Sequence, residues 1–289
     1  MKPLFLLLIL LIMTIAAQAA YAKGYYVDIS NPAASNLNPG TKELPWKHVP
    51  GMLNWSGRVK LQPGDIVYFN NAATWEAPAG TYFLQVQGGV TYDGHSWGPG
   101  TRATFKATAP LRALITIMDD HPEYPTVVRG FEIDASGYAI NGIGINFPHS
   151  RGDLTGAVKR IENCVVHNLG GLAAKGEYVY GIIVSSGYGG NPRRVVANVE
   201  ILNCVVYNVS RGGINLYSAN DNPNSRIENV LVRGNEVYNC GTDPRYAGSS
   251  LPVKNHVINA IVENNIIRDP VNGYGTGFSS DPAIVARKT

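Results

Sequence analysis

The 289 residues predict an all-β chain wound as a parallel solenoid, with three short strands in each coil. Three observations carry this. A short phrase recurs: Asn163 to Asn168 reads NCVVHN and Asn203 to Asn208 reads NCVVYN, with looser copies at Asn235 to Asn239 and Asn264 to Asp269. Aligned on Ile133, Val166, Val206, Val237 and Ile267, the steps are 33, 40, 31 and 30 residues, a fixed core with variable inserts. Finally, 26 Asn and 32 Gly supply many residues that tolerate left-handed backbone, and no amphipathic helical period follows residue 60.

Each phrase reads as strand, tight Asn turn, strand. Before it lies an alternating run such as Val199 to Ile201 or Val230 to Val232, with apolar residues two apart as a half-buried strand requires. After each insert comes a third run: Gly142 to Ile145, Gly181 to Val184, Gly213 to Leu216, then Ser250 to Val253 and Gly277-Phe278. Stacked Asn side chains are expected to bond the backbone of neighbouring coils, satisfying groups that would otherwise be costly to bury. Cys164 and Cys204 share one repeat position, so they should sit in adjacent coils as small buried thiols about 4.8 Å apart, with Cys240 out of register.

Residues 1–22 have the layout of a secretory signal: Lys2, an apolar run from Leu4 to Ile15, then Ala20-Tyr21-Ala22. The run is too short for a bilayer span, which needs about 20 residues. No later stretch is apolar enough, so the mature product is expected to be secreted or periplasmic with no membrane span. A net charge of +3 with no dense basic run argues against nucleic acid as a partner. At the other end, Ala283 to Thr289 reads as the start of another strand, so an open last coil, a truncated frame and a tendency to oligomerise are expected; the oligomeric state itself stays open.

The entry segment, Tyr25 to Asp28, Asn38 to Thr41, Pro45-Trp46 and Leu61 to Val67, resembles the start of right-handed parallel β-helix proteins of the pectate-lyase-like superfamily, many of them secreted bacterial polysaccharide lyases. The resemblance covers most of the mature chain. It implies a short amphipathic helix capping the first coil, and Pro45 to Trp55, with apolar Trp46, Val49, Met52 and Leu53, suits that role. The expected organisation is a signal at 1–22, an N-terminal cap and first coil at 23–75, and the β-helix at 76–289.

The resemblance also implies a glycan site on the outer face of the third strand run. If Ile143, Ile145, Ile182, Val184, Ile214, Leu216, Leu251 and Val253 face inward, one outward column is Asn146, Ser185, Tyr217, Lys254 and Asp281. Its neighbour is Gly144, Ile183, Asn215, Pro252 and Ser279. The insert Cys240 to Pro252 adds Asp243, Arg245 and Tyr246. Elimination on a uronic acid needs a base for the proton α to the carboxylate and a cation to hold the charge that develops. Lys254 is the candidate base, with His256 as alternative and Arg245 as carboxylate contact, while Asn215, Tyr217, Tyr246, Asn146 and Ser185 are candidate substrate contacts. The competing reading of Lys254 is a solvated strand residue. Calcium is left open: Asp221, Asp243 and Asp281 lie on that side, but their spacing matches no compact loop motif. Asp119-Asp120-His121, followed by Pro122 and Pro125, reads as a turn between strands.

These features favour an exported polysaccharide lyase acting on an anionic glycan. A glycoside hydrolase on the same fold would need two carboxyl groups flanking a bond, and few acids lie in the expected groove. A non-catalytic glycan-binding or adhesin-like β-helix, stacking Tyr217 and Tyr246 on sugars, is the alternative from a different class.

Overall fold

The structure is a computed structural model that describes residues 22–147, 152–170, 179–187, 194–218, 224–245 and 248–271, with the backbone alone of 273–280 and 284–287. The residues expected to form the signal fall almost wholly in 1–21, outside the described residues. The described chain winds through three parallel sheets, visited in turn by each coil. The first sheet has nine strands, among them Thr126–Arg129, Lys159–Glu162, Val195–Leu202, Arg226–Arg233 and Val257–Glu263. The second has seven, including Phe131–Asp134, Val165–Leu169, Val205–Val209 and Glu236–Cys240. The third also has seven, including Ala139–Ile145, Tyr180–Ser185, Gly212–Tyr217 and Gly248–Asn255.

The core is a set of in-register stacks. Val166 pairs with Ile133 and Val206, and Val206 with Val237, all fully buried. Ile161, Ile201 and Val232 stack in the first sheet, and Ile143, Ile182 and Ile214 in the third. Each such side chain contributes about 1.5–3 kcal/mol by leaving water. A glycine column keeps the second and third sheets close. A Cβ on Gly142, Gly181 or Gly213 would lie 2.3 Å from a Cγ1 of Val166, Val206 or Val237 respectively, so no larger residue fits there.

The corners explain the Asn content. Between the first and second sheets a single left-handed residue turns the chain: Gly130, Asn163, Asn203, Gly234 and Asn264, with φ from 52° to 70°. The residue after it satisfies the coil below. Asn235 donates its amide to the carbonyl of Ile201 at 2.9 Å and accepts from the Cys204 N–H at 2.9 Å; Asn265 donates to Val232 and accepts from the Asn235 N–H. Cys204 and Cys164 hold the same position in earlier coils, where their thiols face the carbonyls of Ile161 and Val128 at 3.8 and 3.9 Å. Both are free, buried thiols in adjacent coils, and Cys240 pairs with Val209 on a different column. Two further Asn ladders run at Asn168, Asn208 and Asn239 and at Asn198, Asn229 and Asn259, all left-handed and bonded amide to amide.

The entry segment departs from expectation. No α-helix occurs among the described residues, and Pro45 to Trp55 closes the first coil through turns and two isolated bridges, Trp46 to Val27 and Met52 to Leu84. Trp46, Val49 and Met52 bury as anticipated, but Pro50 interrupts a helix and Gly51 adopts φ 93° where a Cβ would lie 2.0 Å from the Gln85 carbonyl. The Trp46 indole donates to the carbonyl of Asn38 at 2.7 Å.

Replacing Asn235 by Ala removes the partners of the buried Cys204 N–H and Ile201 carbonyl together. Urea unfolding should show a loss of about 2–4 kcal/mol. A change within about 0.5 kcal/mol, the range of an ordinary surface substitution, would contradict the ladder's role.

Candidate functional site

The third sheet has the expected register. Ser185 pairs with Tyr217 and Tyr217 with Lys254, one strand apart, while Leu216 and Val253 stack inside. Gly144, Ile183 and Asn215 form the neighbouring outward column. In the last coil the expected columns shift by two residues: Lys254 pairs with Ser279 and Pro252 with Gly277, so Asp281 is not the next member of the Lys254 column. Tyr246, Asp221 and Asp281 lie outside the described residues.

The outer face is covered, not open as the alternation implied. Asn146, Ser185 and Asn215 are exposed by only 0%, 1% and 2%. Phe147 lies over Gly144, where a Cβ would approach its Cβ to 2.9 Å, and the Thr116 hydroxyl donates to the Phe147 carbonyl. Asn146 is left-handed, with φ 53°; its N–H donates to the Ile117 carbonyl and its amide to that of Ser185. The Ser185 hydroxyl accepts from the Gly187 N–H at 3.3 Å. Asn146 and Ser185 therefore shape the corner. Tyr217 is half-buried and Lys254 exposed, so these two carry the column to the surface.

Asn215 is different, because its Nδ2 is buried with no hydrogen-bond partner. Six such side-chain atoms occur among the described residues, and four lie on the third sheet: Asn141 Oδ1, Asn215 Nδ2, Ser249 Oγ and Ser250 Oγ. Each costs about 1–3 kcal/mol when left unpaired.

Basic residues gather where the third sheet hands over to the first. Lys254 is next to last in its strand, Asn255 ends it and turns the corner at φ 70° with its amide on the Ser218 carbonyl, and His256 follows half-buried. The Ser218 N–H donates to the Lys254 carbonyl, the Ile227 N–H to that of His256, and the Arg226 N–H to that of Arg194. Arg194, Arg226, His256 and Lys254 thus share one corner over successive coils, with the Arg226 guanidinium paired to Glu228. Beneath it the hydroxyls of buried Ser186, Ser218 and Ser225 bond one another and their backbone. The sequence reading missed Arg194 and Arg226, which stand just outside the periodic strand cores and carry no repeat signal.

Arg245 lies at the opposite edge of the third sheet. The strand Gly248–Asn255 separates it from Lys254 by about 20 Å, at roughly 3.3 Å per residue, so the two cannot share one sugar ring. Its Nε and Nη2 grip Asp243 at 2.8 and 2.6 Å, and these bonds lower the Asp243 carboxyl to about 2. With that carboxylate engaged, Asp243 makes a poor calcium ligand. Among the described residues no group of three His, Cys, Asp or Glu could hold a metal ion.

Two other clusters are structural. Asp120 accepts from the Gly156 N–H at 2.7 Å and from the fully buried Lys159 at 3.1 Å, which pins the Asp119 to Tyr124 turn to the coil. Burial pushes Lys159 below the usual lysine range, and Asp120 opposes this. On the second sheet His167, Tyr207 and Tyr238 stack within 2° of parallel at 4.9 and 5.0 Å, and Arg268 covers the last ring. The faces of Tyr207 are thereby occupied by its neighbours and unavailable to a sugar.

Comparison with known proteins agrees with this architecture. Residues 196–283 match the family model described as "Disaggregatase related". No curated protein matches. Among solved structures, the selenomethionine and native forms of a GH136 lacto-N-biosidase from Eubacterium ramulus superpose with TM-scores of 0.59 and 0.57. Each is 18% identical, over 88% and 84% of this chain and 46% and 44% of that one. This chain therefore spans less than half the length of the lacto-N-biosidase. The chain has the right-handed parallel β-helix fold. Pectate lyase Pel9A aligns over 95% of this chain and 80% of its own, at 12% identity and a TM-score of 0.49. No helix among the described residues is long and apolar enough to cross a membrane.

A residue kept for a ligand should be suboptimal for stability. Asn215→Leu, which removes the unpaired amide at similar volume, is expected to raise stability by about 1 kcal/mol. A destabilised Asn215→Leu variant in urea unfolding would indicate an ordinary structural amide.

Proposed function

We propose that this β-helix is a carbohydrate-active enzyme that cleaves a uronate-containing glycan by β-elimination at the edge of the third sheet. The observation that carries the reading is the unpaired, buried Asn215 amide beside Tyr217, Lys254 and the basic corner. The fold neighbour named lacto-N-biosidase supports a glycan as ligand. Positive charge at Arg194 and Arg226 suits an anionic chain, and guanidinium groups suit its carboxylates. In this reading Lys254 takes the proton α to the uronate carboxylate. The electron pair left behind forms the carbon–carbon double bond as the carbon bond to the glycosidic oxygen breaks, and that oxygen takes a proton from water. Arg226 holds the carboxylate, Asn215 donates to the negative charge that develops, and Tyr217 contacts the sugar. His256 is the alternative base. Export through a signal at residues 1–22, to a secreted or periplasmic location, belongs to the same proposal.

A second reading, glycoside hydrolysis, is favoured by the neighbour's name. It requires two carboxyl groups across a glycosidic bond. The described outward residues of the third-sheet edge, Ser185, Asn215, Tyr217 and Lys254, include none.

The test is incubation of the purified chain with pectate, alginate and glycosaminoglycans, with and without chelator, while following conjugated-uronate absorbance. At least one polymer should yield the unsaturated product, and Lys254→Ala should abolish it with unchanged thermal unfolding, since an exposed side chain contributes little to stability. Reducing ends without conjugated product would support hydrolysis, and full activity of Lys254→Ala would remove Lys254 as base.

A further inference from the structure

We infer that the cleft at the corner between the second and third sheets is a second saccharide subsite, recognising adjacent hydroxyls of a neutral sugar. The cleft encloses about 380 Å³ and is lined by Asn168, Asn208, Gly170, Ser210, Thr242 and the Asp243–Arg245 pair, with Gly137 at its edge. That volume lies at the small end of the roughly 300–1,000 Å³ typical of ligand pockets, and suits a single sugar unit better than a polymer segment.

The floor is kept low by glycine. Gly137 and Gly170 adopt φ 77° and 90°, and a Cβ on Gly170 would fall 2.1 Å from the Ser210 Oγ. One side is rigid: Asn168 and Asn208 belong to a ladder in which Asn208 donates to Asn168 and Asn168 to Asp134, both at 3.1 Å. The other side is the ion pair. Arg245 donates its backbone N–H, Nε and Nη2 to Asp243, which aligns carboxylate and guanidinium edge to edge.

That arrangement sets the ligand chemistry. A carboxylate beside a guanidinium presents an acceptor next to a donor, matching two neighbouring hydroxyls of which one donates and the other accepts. The pair is neutral as a unit, so it offers little net attraction to a uronate, unlike the basic corner about 20 Å away. The Ser210 and Thr242 hydroxyls add groups that both donate and accept. Because the ladder and the ion pair exist before any ligand arrives, little ordering cost falls on binding. The subsite goes beyond the elimination reading and uses none of its residues.

The test is saturation-transfer NMR on the full chain with galactose, glucose, arabinose, rhamnose and, for comparison, galacturonate, followed by titration of the best ligand. At least one neutral sugar should bind in the millimolar range and more tightly than galacturonate. Asp243→Asn and Thr242→Val should each weaken it by about tenfold, the equivalent of one good hydrogen bond. Lys254→Ala should leave it unchanged. Absence of transfer from every neutral sugar, preference for galacturonate, or wild-type affinity in both cleft variants would overturn the inference. Since the readout is monosaccharide binding, failure here leaves the elimination assay standing, and loss of elimination leaves this binding standing.

Discussion

The described coils depend on one constraint: most backbone groups at a corner must find their partners in the coil above or below. A solenoid of short strands turns a corner every few residues, and each corner exposes backbone groups that a helix or hairpin would pair locally. Beside the backbone bonds between coils, the recurring side-chain partner is an asparagine amide, which carries a donor and an acceptor on one short side chain and tolerates left-handed backbone. The ladders through Asn168 to Asn239 and Asn198 to Asn259 therefore act as both turn and crosslink, while Asn235 and Asn265 crosslink beside the left-handed Gly234 and Asn264. Where cysteine replaces asparagine, at Cys164 and Cys204, a weak thiol donor faces the same carbonyls at longer range.

Against that economy, exceptions acquire meaning. Four of the six buried polar atoms lacking partners fall on the third sheet, the sheet whose corner also collects Arg194, Arg226, His256 and Lys254. The second sheet, by contrast, stacks its aromatic rings against one another and against Arg268. One face is thus closed on itself, while the other keeps the unsatisfied Asn215 amide near positive charge. Such a division of labour is how a common scaffold carries a particular chemistry, since the fold by itself hosts many.

Much of the architecture was readable because period and register reinforce each other. The NCVVHN and NCVVYN phrases placed Val166 on Val206, and the alternation around Leu216 and Val253 placed Tyr217 beside Lys254. The signal failed where alternation was absent or where it answers a different question. The segment 273–280 is rich in glycine and lacks an apolar period, so the expected Asp281 column slipped by two residues. Pro45 to Trp55 has helical apolar spacing, but the close approach of Gly51 to the Gln85 carbonyl decides its path, and that contact is 34 residues away in sequence. Period 2 tells which side of a strand a residue faces, not what lies above it; hence Asn146, Ser185 and Asn215 were placed on the outer face but not recognised as buried. Arg245 was grouped with Lys254 from nearness in sequence, although a strand extends between them.

In the proposed elimination the unpaired Asn215 amide on the third sheet donates to the bound glycan. The most direct test is titration of ¹⁵N-labelled Lys254→Ala protein, which cannot consume the ligand in the proposed mechanism, with a uronate oligosaccharide while following side-chain amide resonances. The account predicts that the Asn215 Nδ2 protons shift and exchange more slowly with solvent as the oligosaccharide saturates, with backbone shifts centred on Tyr217 and His256. Saturable shifts centred on the Tyr207 and Tyr238 stack, with the Asn215 amide unmoved, would contradict it.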